Sequence, residues 1–253
     1  MRKVLANIFY LIFLFTVQLF SQQFTPGSPE WLVDMFFGKN SFPDKVNYLS
    51  GEMLNEVNEQ TIDEELNGKG DISFHQITAS NNEIVFAVEV TQNQKVIDFY
   101  SYLLNENNTW KIYAIRRFLL PSFIYTVRDS LANLSSLSPG DSTFFLSVQL
   151  FTASDNELKN FFKANQNNFQ NLIYSFTNNN REEADKILSS IGCNAIYTDK
   201  KYPGCVFIQN LEFENMAVGF IQAAESKLLP EISVQEYIYI EEVSPGWFVF
   251  RTI

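Results

Sequence analysis

Histidine occurs once in this chain of 253 residues, at His75, and cysteine twice, at Cys193 and Cys205. That scarcity excludes most metal and redox chemistry. A structural zinc site needs four N or S ligands, and the thiols of a redox pair are expected two residues apart. Here 11 residues separate the cysteines, and the one imidazole is far away in sequence. The chain also lacks a glycine-rich phosphate loop, a G-x-S-x-G elbow and an H-E-x-x-H pair, so neither cofactor nor metal is implied. Positive charge is short too: 18 Lys and Arg face 29 Asp and Glu, a formal net charge of −11. Such a balance repels phosphate backbones and anionic lipid surfaces, which argues against nucleic acid as a partner. The acids are spread along the chain rather than gathered in a tail, and so read as solubility.

Among the features present, an export signature comes first. Arg2 and Lys3 precede an apolar run over residues 4–20, and Ser21-Gln22-Gln23 follows it. This is the grammar of a secretory signal peptide over residues 1–22, with cleavage near Ser21 or Gln22. The run approaches the length of a membrane span, so an N-terminal membrane anchor is the alternative. No positive cluster follows it and Ser21 is small, which favours cleavage. No cysteine stands at the cut, so a lipid cannot be attached there. The expectation is a secreted or periplasmic protein without a stable membrane anchor after cleavage. Losing Arg2 and Lys3 would take its net charge from −11 to −13.

The segment CNAIYTDKKYPGC carries both cysteines. In an oxidising compartment two nearby cysteines are read first as a disulfide, here Cys193–Cys205, with free thiols and redox chemistry as the alternatives. Pro203-Gly204 supplies a turn that could bring the chain back toward Cys193. Closing a loop of this size stabilises by about 3 kcal/mol if unstrained.

The composition, 46% apolar and 15% aromatic, is that of a globular protein with ample material for a core. Ser28-Pro29-Glu30 starts a helix with an N-cap, a proline in the first turn and an acid behind it. Trp31, Leu32, Met35 and Phe36 share its face. A second helix is expected over residues 44–60, with Val46, Leu49, Met53, Leu54 and Val57 apolar. Glu52, Glu56 and Glu59 form an acidic stripe there, read as a solvated face rather than a cation or partner site. From Asp71 the period becomes two. ISFHQITA, EIVFAVEVT, KVIDFYSYLL and TWKIYAIRRF, divided by short polar turns, predict a four-stranded antiparallel meander. Residues 120–141 read as a helix and a loop, with Ser138-Pro139-Gly140-Asp141 as a domain boundary.

Beyond that boundary TFFLSVQLF reads as a strand. Ser154-Asp155-Asn156-Glu157 caps a long helix reaching about Phe176, with Phe161, Phe162, Phe169, Leu172, Ile173 and Phe176 apolar. REEADKILSSIG makes a shorter helix stopped by Gly192. CVFIQNLEF and MAVGFIQA flank a Glu214-Asn215 hairpin, and EYIYIEEV and GWFVFRT a Ser244-Pro245-Gly246 one. The whole predicts an α+β fold of two small modules, each with helices packed on an antiparallel sheet, over residues 29–137 and 141–253. Both halves run helices then strands, yet no residue-level repeat supports duplication.

Two helical stretches followed by a meander whose last strand carries Trp110, Lys111 and Ile112 resemble the NTF2-like and related cystatin-like superfamily over residues 29–118. That group has many secreted bacterial members of unknown function. Its enzymes place an acid-base pair in a cone-shaped pocket, for which these residues offer no clear equivalent.

Candidate site residues are few. His75, as a general base, would need a carboxylate, and Asp98 on a neighbouring strand is the one named for it. An ordinary hydrogen-bonded strand histidine is the plainer reading, since no nucleophile accompanies it. Asp98, Tyr100 and Tyr102 alternate onto one strand face, and Tyr237, Tyr239 and Glu241 onto another. Such a face can line a wet cavity or bind a sugar or peptide; the simpler reading is tyrosines covering a half-exposed sheet. Arg116-Arg117 and Lys200-Lys201 are too small as patches to bind an anion. The expected function is a non-enzymatic binding protein of the cell envelope, its partner a protein or small ligand. The alternative is a pocket enzyme using His75 and Asp98.

Overall fold

The structure is a computed structural model that describes residues 24–38, 42, 44–55, 70–93 and 95–253. The proposed signal peptide and the residues Glu56, Val57 and Glu59 of the expected second helix lie outside these. The fold is α+β, with five α-helices and two antiparallel sheets among the described residues.

Helix α1 (Pro29–Phe37) begins as its sequence dictates, with the Ser28 side chain accepting from the Trp31 N–H. Leu32, Val33, Phe36 and Phe37 are buried on it. No continuous second helix follows among the described residues. Two 3-10 turns, Lys45–Tyr48 and Gly51–Asn55, take its place. Gly51 at φ +51° interrupts the helical path, and Leu49 leaves it to bridge to Ile112. Leu49 and Met53 are buried, whereas Val46 and Leu54 face solvent.

Strands β1 (Asp71–Ala79), β2 (Glu83–Gln92), β3 (Lys95–Glu106) and β4 (Thr109–Arg117) form the expected meander in sequential order. This first sheet is covered on both faces. Phe86, Val88, Val90, Leu103 and Ile112 meet α1 and the 3-10 turns in one core. Val85, Ala87, Tyr100, Tyr102 and Ala114 belong to a different core, which they share with the second half of the chain. The near-continuous apolar character of IVFAVEV follows from burial on both sides.

Helix α2 (Ser122–Ala132) carries no fully buried residue. The stretch expected as a strand, TFFLSVQLF, is instead helix α3 (Pro139–Phe151). Its start repeats the logic of α1: Ser138 caps by accepting from the Asp141 N–H, Pro139 opens the first turn and Asp141 adds an acid. The burial of Ser147, Val148 and Phe151 has helical spacing. Helix α4 (Asp155–Thr177) has a full capping box between Ser154 and Glu157, and α5 (Arg181–Ser190) ends before Gly192 at φ +64°.

The second sheet contains β5 (Ala195–Thr198), β6 (Cys205–Phe213), β7 (Met216–Ala223), β8 (Tyr237–Ser244) and β9 (Trp247–Thr252) in the order β5-β6-β7-β9-β8. Phe162, Phe169 and Leu172 of α4 pack on Phe220, Val249 and Trp247. The opposite face is a third core with Phe207, Ile221, Tyr237 and Phe250.

The proposed Cys193–Cys205 disulfide is not formed; both thiols are free and buried. The Pro203-Gly204 turn does return the chain, but as a β5–β6 hairpin in which Ala195 faces Gln209. Cys193 thus lies beyond one end of the ladder and Cys205 at the other. Some six residues of strand, roughly 20 Å, separate their levels, whereas a disulfide needs Cα atoms within about 7 Å. They also belong to different cores, Cys193 with α4 and α5, Cys205 under Leu228. Burial pushes both thiols up in pKa.

Candidate functional site

Strand register brings the polar residues of the first sheet into rows. Ser73 pairs with Glu89 and Glu89 with Asp98; one row over, His75 pairs with Ala87 and Ala87 with Tyr100. Residues paired in this way share a face, here the one turned toward the second half of the chain. The N-terminal turn of α4 meets it, bringing Asp155, Asn156 and Lys159, and β8 brings Glu241. Together they line a cleft of about 290 Å³ with His75, Glu89 and Asp98. Ala87 gives it a low floor.

Two polar networks flank the cleft. In the outer one, Glu241 Oε2 accepts from Tyr239 Oη at 2.7 Å, His75 Nε2 at 3.0 Å and Lys159 Nζ at 3.2 Å. Burial alone would raise the Glu241 pKa, but these partners hold it at about 2. An ionised carboxylate only accepts, so the His75 proton facing it sits on Nε2. In the inner network Arg251, 2% exposed, donates from Nε to Asp155 Oδ1 at 2.7 Å and from its terminal nitrogen to the Ala153 carbonyl at 2.7 Å. Burial would lower the Arg251 pKa, yet Asp155, Tyr100 and Asp98 outweigh it and raise it. Tyr100 Oη donates to both Asp155 oxygens, at 3.0 and 2.9 Å. Asp98 Oδ2 accepts the Asp155 N–H at 3.0 Å and lies 3.8 Å from Arg251. Burial, then the neighbouring Asp155 charge, pushes Asp98 up to about 7 against the pull of Arg251.

His75 and Asp98 therefore line one cleft without pairing: His75 turns to Glu241 and is half exposed, while Asp98 turns to the α4 backbone. Tyr100, Tyr102 and Tyr239 are fully buried, not a half-exposed sheet cover. Tyr100 stacks on Tyr239 with centroids 5.0 Å apart, and Tyr102 donates to the Ile238 and Ser233 carbonyls. Tyr237 does not share their side. A register shift between Tyr237 and Tyr239 turns it into the third core, against Tyr202 and Phe250. Elsewhere Arg116 is taken up by Glu52 and the Val234 carbonyl, Arg117 lies over Phe99, and Lys201 pairs with Glu236.

Sequence reading missed Glu89, Asp155, Lys159 and Arg251. Glu89 and Arg251 carried a signal, each being a lone charge in a run of strand apolars, IVFAVEV and GWFVFRT. A buried charge needs a counter-charge, so each pointed to a partner across an interface. Among the described residues no group of three or more His, Cys, Asp or Glu is placed to hold a metal ion, and no helix is long and apolar enough to cross a membrane. Compared with known proteins, the chain matches no family model, no curated protein and no solved structure at a significant level.

Proposed function

We propose that this is an exported, non-enzymatic binding protein whose ligand site is the cleft between the first sheet and α4. The observation that carries the reading is the cleft's lining: Glu89, Asp98, Asp155 and Glu241 with Lys159, His75 and Asn156 around about 290 Å³. That volume lies at the small end of ligand pockets, roughly 300–1,000 Å³. Carboxylates outnumber cations, so the occupant is a small molecule rich in hydrogen-bond donors, an amine or a polyol rather than an anion. An acid-base enzyme has less support, because His75 and Asp98 each engage a different partner and no nucleophile stands between them. Export rests on residues 1–22, and kinship with NTF2-like proteins on element order and the Trp110-Lys111-Ile112 strand.

Calorimetric titration of protein purified from its host, with spermidine, a lysine dipeptide, glucose and inorganic phosphate, tests the site. Saturable binding of an amine or the sugar, weakened about tenfold by Glu89→Gln as for a lost charged hydrogen bond, is the expected outcome. Binding of phosphate alone, or of none of the four, overturns it. Export is checked separately by N-terminal sequencing of the same material, which should begin near Gln22 or Gln23.

A further inference from the structure

Asp98 and Asp155 stand on opposite sides of the contact between the two halves of the molecule, 13% and 8% exposed, and face one guanidinium, that of Arg251. Arg251 is closely bound to Asp155 and 3.8 Å from Asp98, so two carboxylates share one nearby positive charge in a place that water scarcely reaches. Like-charged carboxylates so placed do not ionise independently. Besides Arg251, the Asp155 N–H bonded to Asp98 Oδ2 favours the charged form, and together they do not outweigh burial and the neighbouring charge. From β2, Glu89 adds a further negative charge. From α4, Lys159 is committed to Glu241, and from β1, so is His75. On Asp98's own strand Tyr100 gives its proton to Asp155. From β4, Arg117 borders a small cavity of about 50 Å³ beside Asp98 but is exposed and lies over Phe99.

We propose that Asp98 is a proton-operated catch between the two sheets: protonated, it closes on the first turn of α4, and deprotonated, it sets a second buried negative charge against Asp155 and loosens the contact. Burial and Asp155 raise its pKa from 3.8 to about 7, which places the change near neutrality. For a carboxyl raised in the folded state, the stabilisation is complete below 3.8 and is lost as pH rises through about 7. The contact is tight in mild acid and loose in mild alkali. This stands whether or not the cleft takes a ligand.

Hydrogen exchange read by mass spectrometry on the full chain, corrected for intrinsic rates, tests the catch at pH 6 and pH 8. Peptides covering β3 and the start of α4 should lose protection with rising pH, approaching tenfold per unit below the midpoint for one linked proton and levelling off above it. Peptides in the third core should not. Asp98→Asn, a mimic of the protonated form, should stay protected at both pH values. Unchanged protection in the natural protein, or the same pH response in Asp98→Asn, overturns the proposal. If that variant fails to fold, carboxyl carbon NMR of the natural protein decides: an Asp98 midpoint near neutrality supports the catch, and one below pH 5 overturns it.

Discussion

At the scale of single residues, Arg251 is the buried cation around which the inner polar network is built. It is almost fully buried and ties β9 to Asp155 and to the Ala153 carbonyl, with its plane 4.8 Å over the Phe118 ring. Removing one member of a buried pair leaves the other charge without compensation, at a cost of about 3–5 kcal/mol. Arg251→Met keeps most of the volume and should show that loss in urea unfolding followed by fluorescence; a change under about 1 kcal/mol would mean Asp155 finds another counter-charge. Gly192 is a second sensitive position, for a different reason. Its φ of +64° suits the position after α5, and a Cβ there would come within 2.7 Å of Leu146 Cγ. The left-handed conformation costs an L-residue about 1–2 kcal/mol, and overpacking typically adds 1–3 kcal/mol. Gly192→Ala should therefore lower stability by roughly 2–5 kcal/mol in the same assay. A neutral result would show that α5 can shift away from α3.

At the scale of elements, local grammar decides more than hydrophobic period. Helix α4 is closed by a reciprocal pair: Glu157 N–H donates to Ser154 Oγ at 3.3 Å, and the Ser154 N–H to Glu157 Oε2 at 2.7 Å. Ser154→Ala removes one half and should cost about 1 kcal/mol, read as a lowered thermal midpoint with unchanged far-ultraviolet dichroism. Because the same turn offers the Asp155 N–H to Asp98, amides 154–158 should lose protection first. All four strands of the meander, α1, α4, α5 and both later hairpins were legible, since each combined a periodic pattern with a clear start or stop. The second helix and the strand over TFFLSVQLF were misread for physical reasons. Gly51 takes a conformation that favours glycine and diverts the chain, though the surrounding apolar spacing is helical. In TFFLSVQLF six of nine positions are apolar, and over so short a run period does not separate strand from helix. The Ser138-Pro139 cap, read in the sequence as a domain boundary, is the signal that separates them, and it is the same one that starts α1. The short β5 went unseen because its residues were read as the inside of a disulfide loop. The cleft was half legible: register places His75, Glu89 and Asp98 on one face, but nothing local to β3 foretells that α4 and β8 will dock there.

At the scale of the whole molecule, the first sheet is shared property. One face closes its own core with α1, and the other completes the core of the second half through Tyr100, Tyr102 and Ala114. The join is polar where water reaches it and aromatic behind, so its strength depends on protonation at both ends of the pH scale, with opposite signs. Glu241 has a pKa lowered from 4.5 to about 2. A group depressed in this way stabilises above its unfolded value and loses that contribution as pH falls from 4.5 toward 2. Its 21% exposure screens part of the effect, leaving about 1–2 kcal/mol of the unscreened value. Asp98 works the other way, losing its contribution as pH rises toward and through about 7. Stability should then be greatest near about pH 4–5, decline toward about pH 7 and level off in mild alkali. Glu241→Gln separates the two arms. It should lower stability at pH 6 by about 1–2 kcal/mol, approach the natural protein near pH 2–3, and leave the decline toward neutrality as it was. If the penalty of Glu241→Gln is the same at pH 3 as at pH 6, the carboxylate's charge is not what holds β8 to His75 and Lys159, and the acid arm must come from another group.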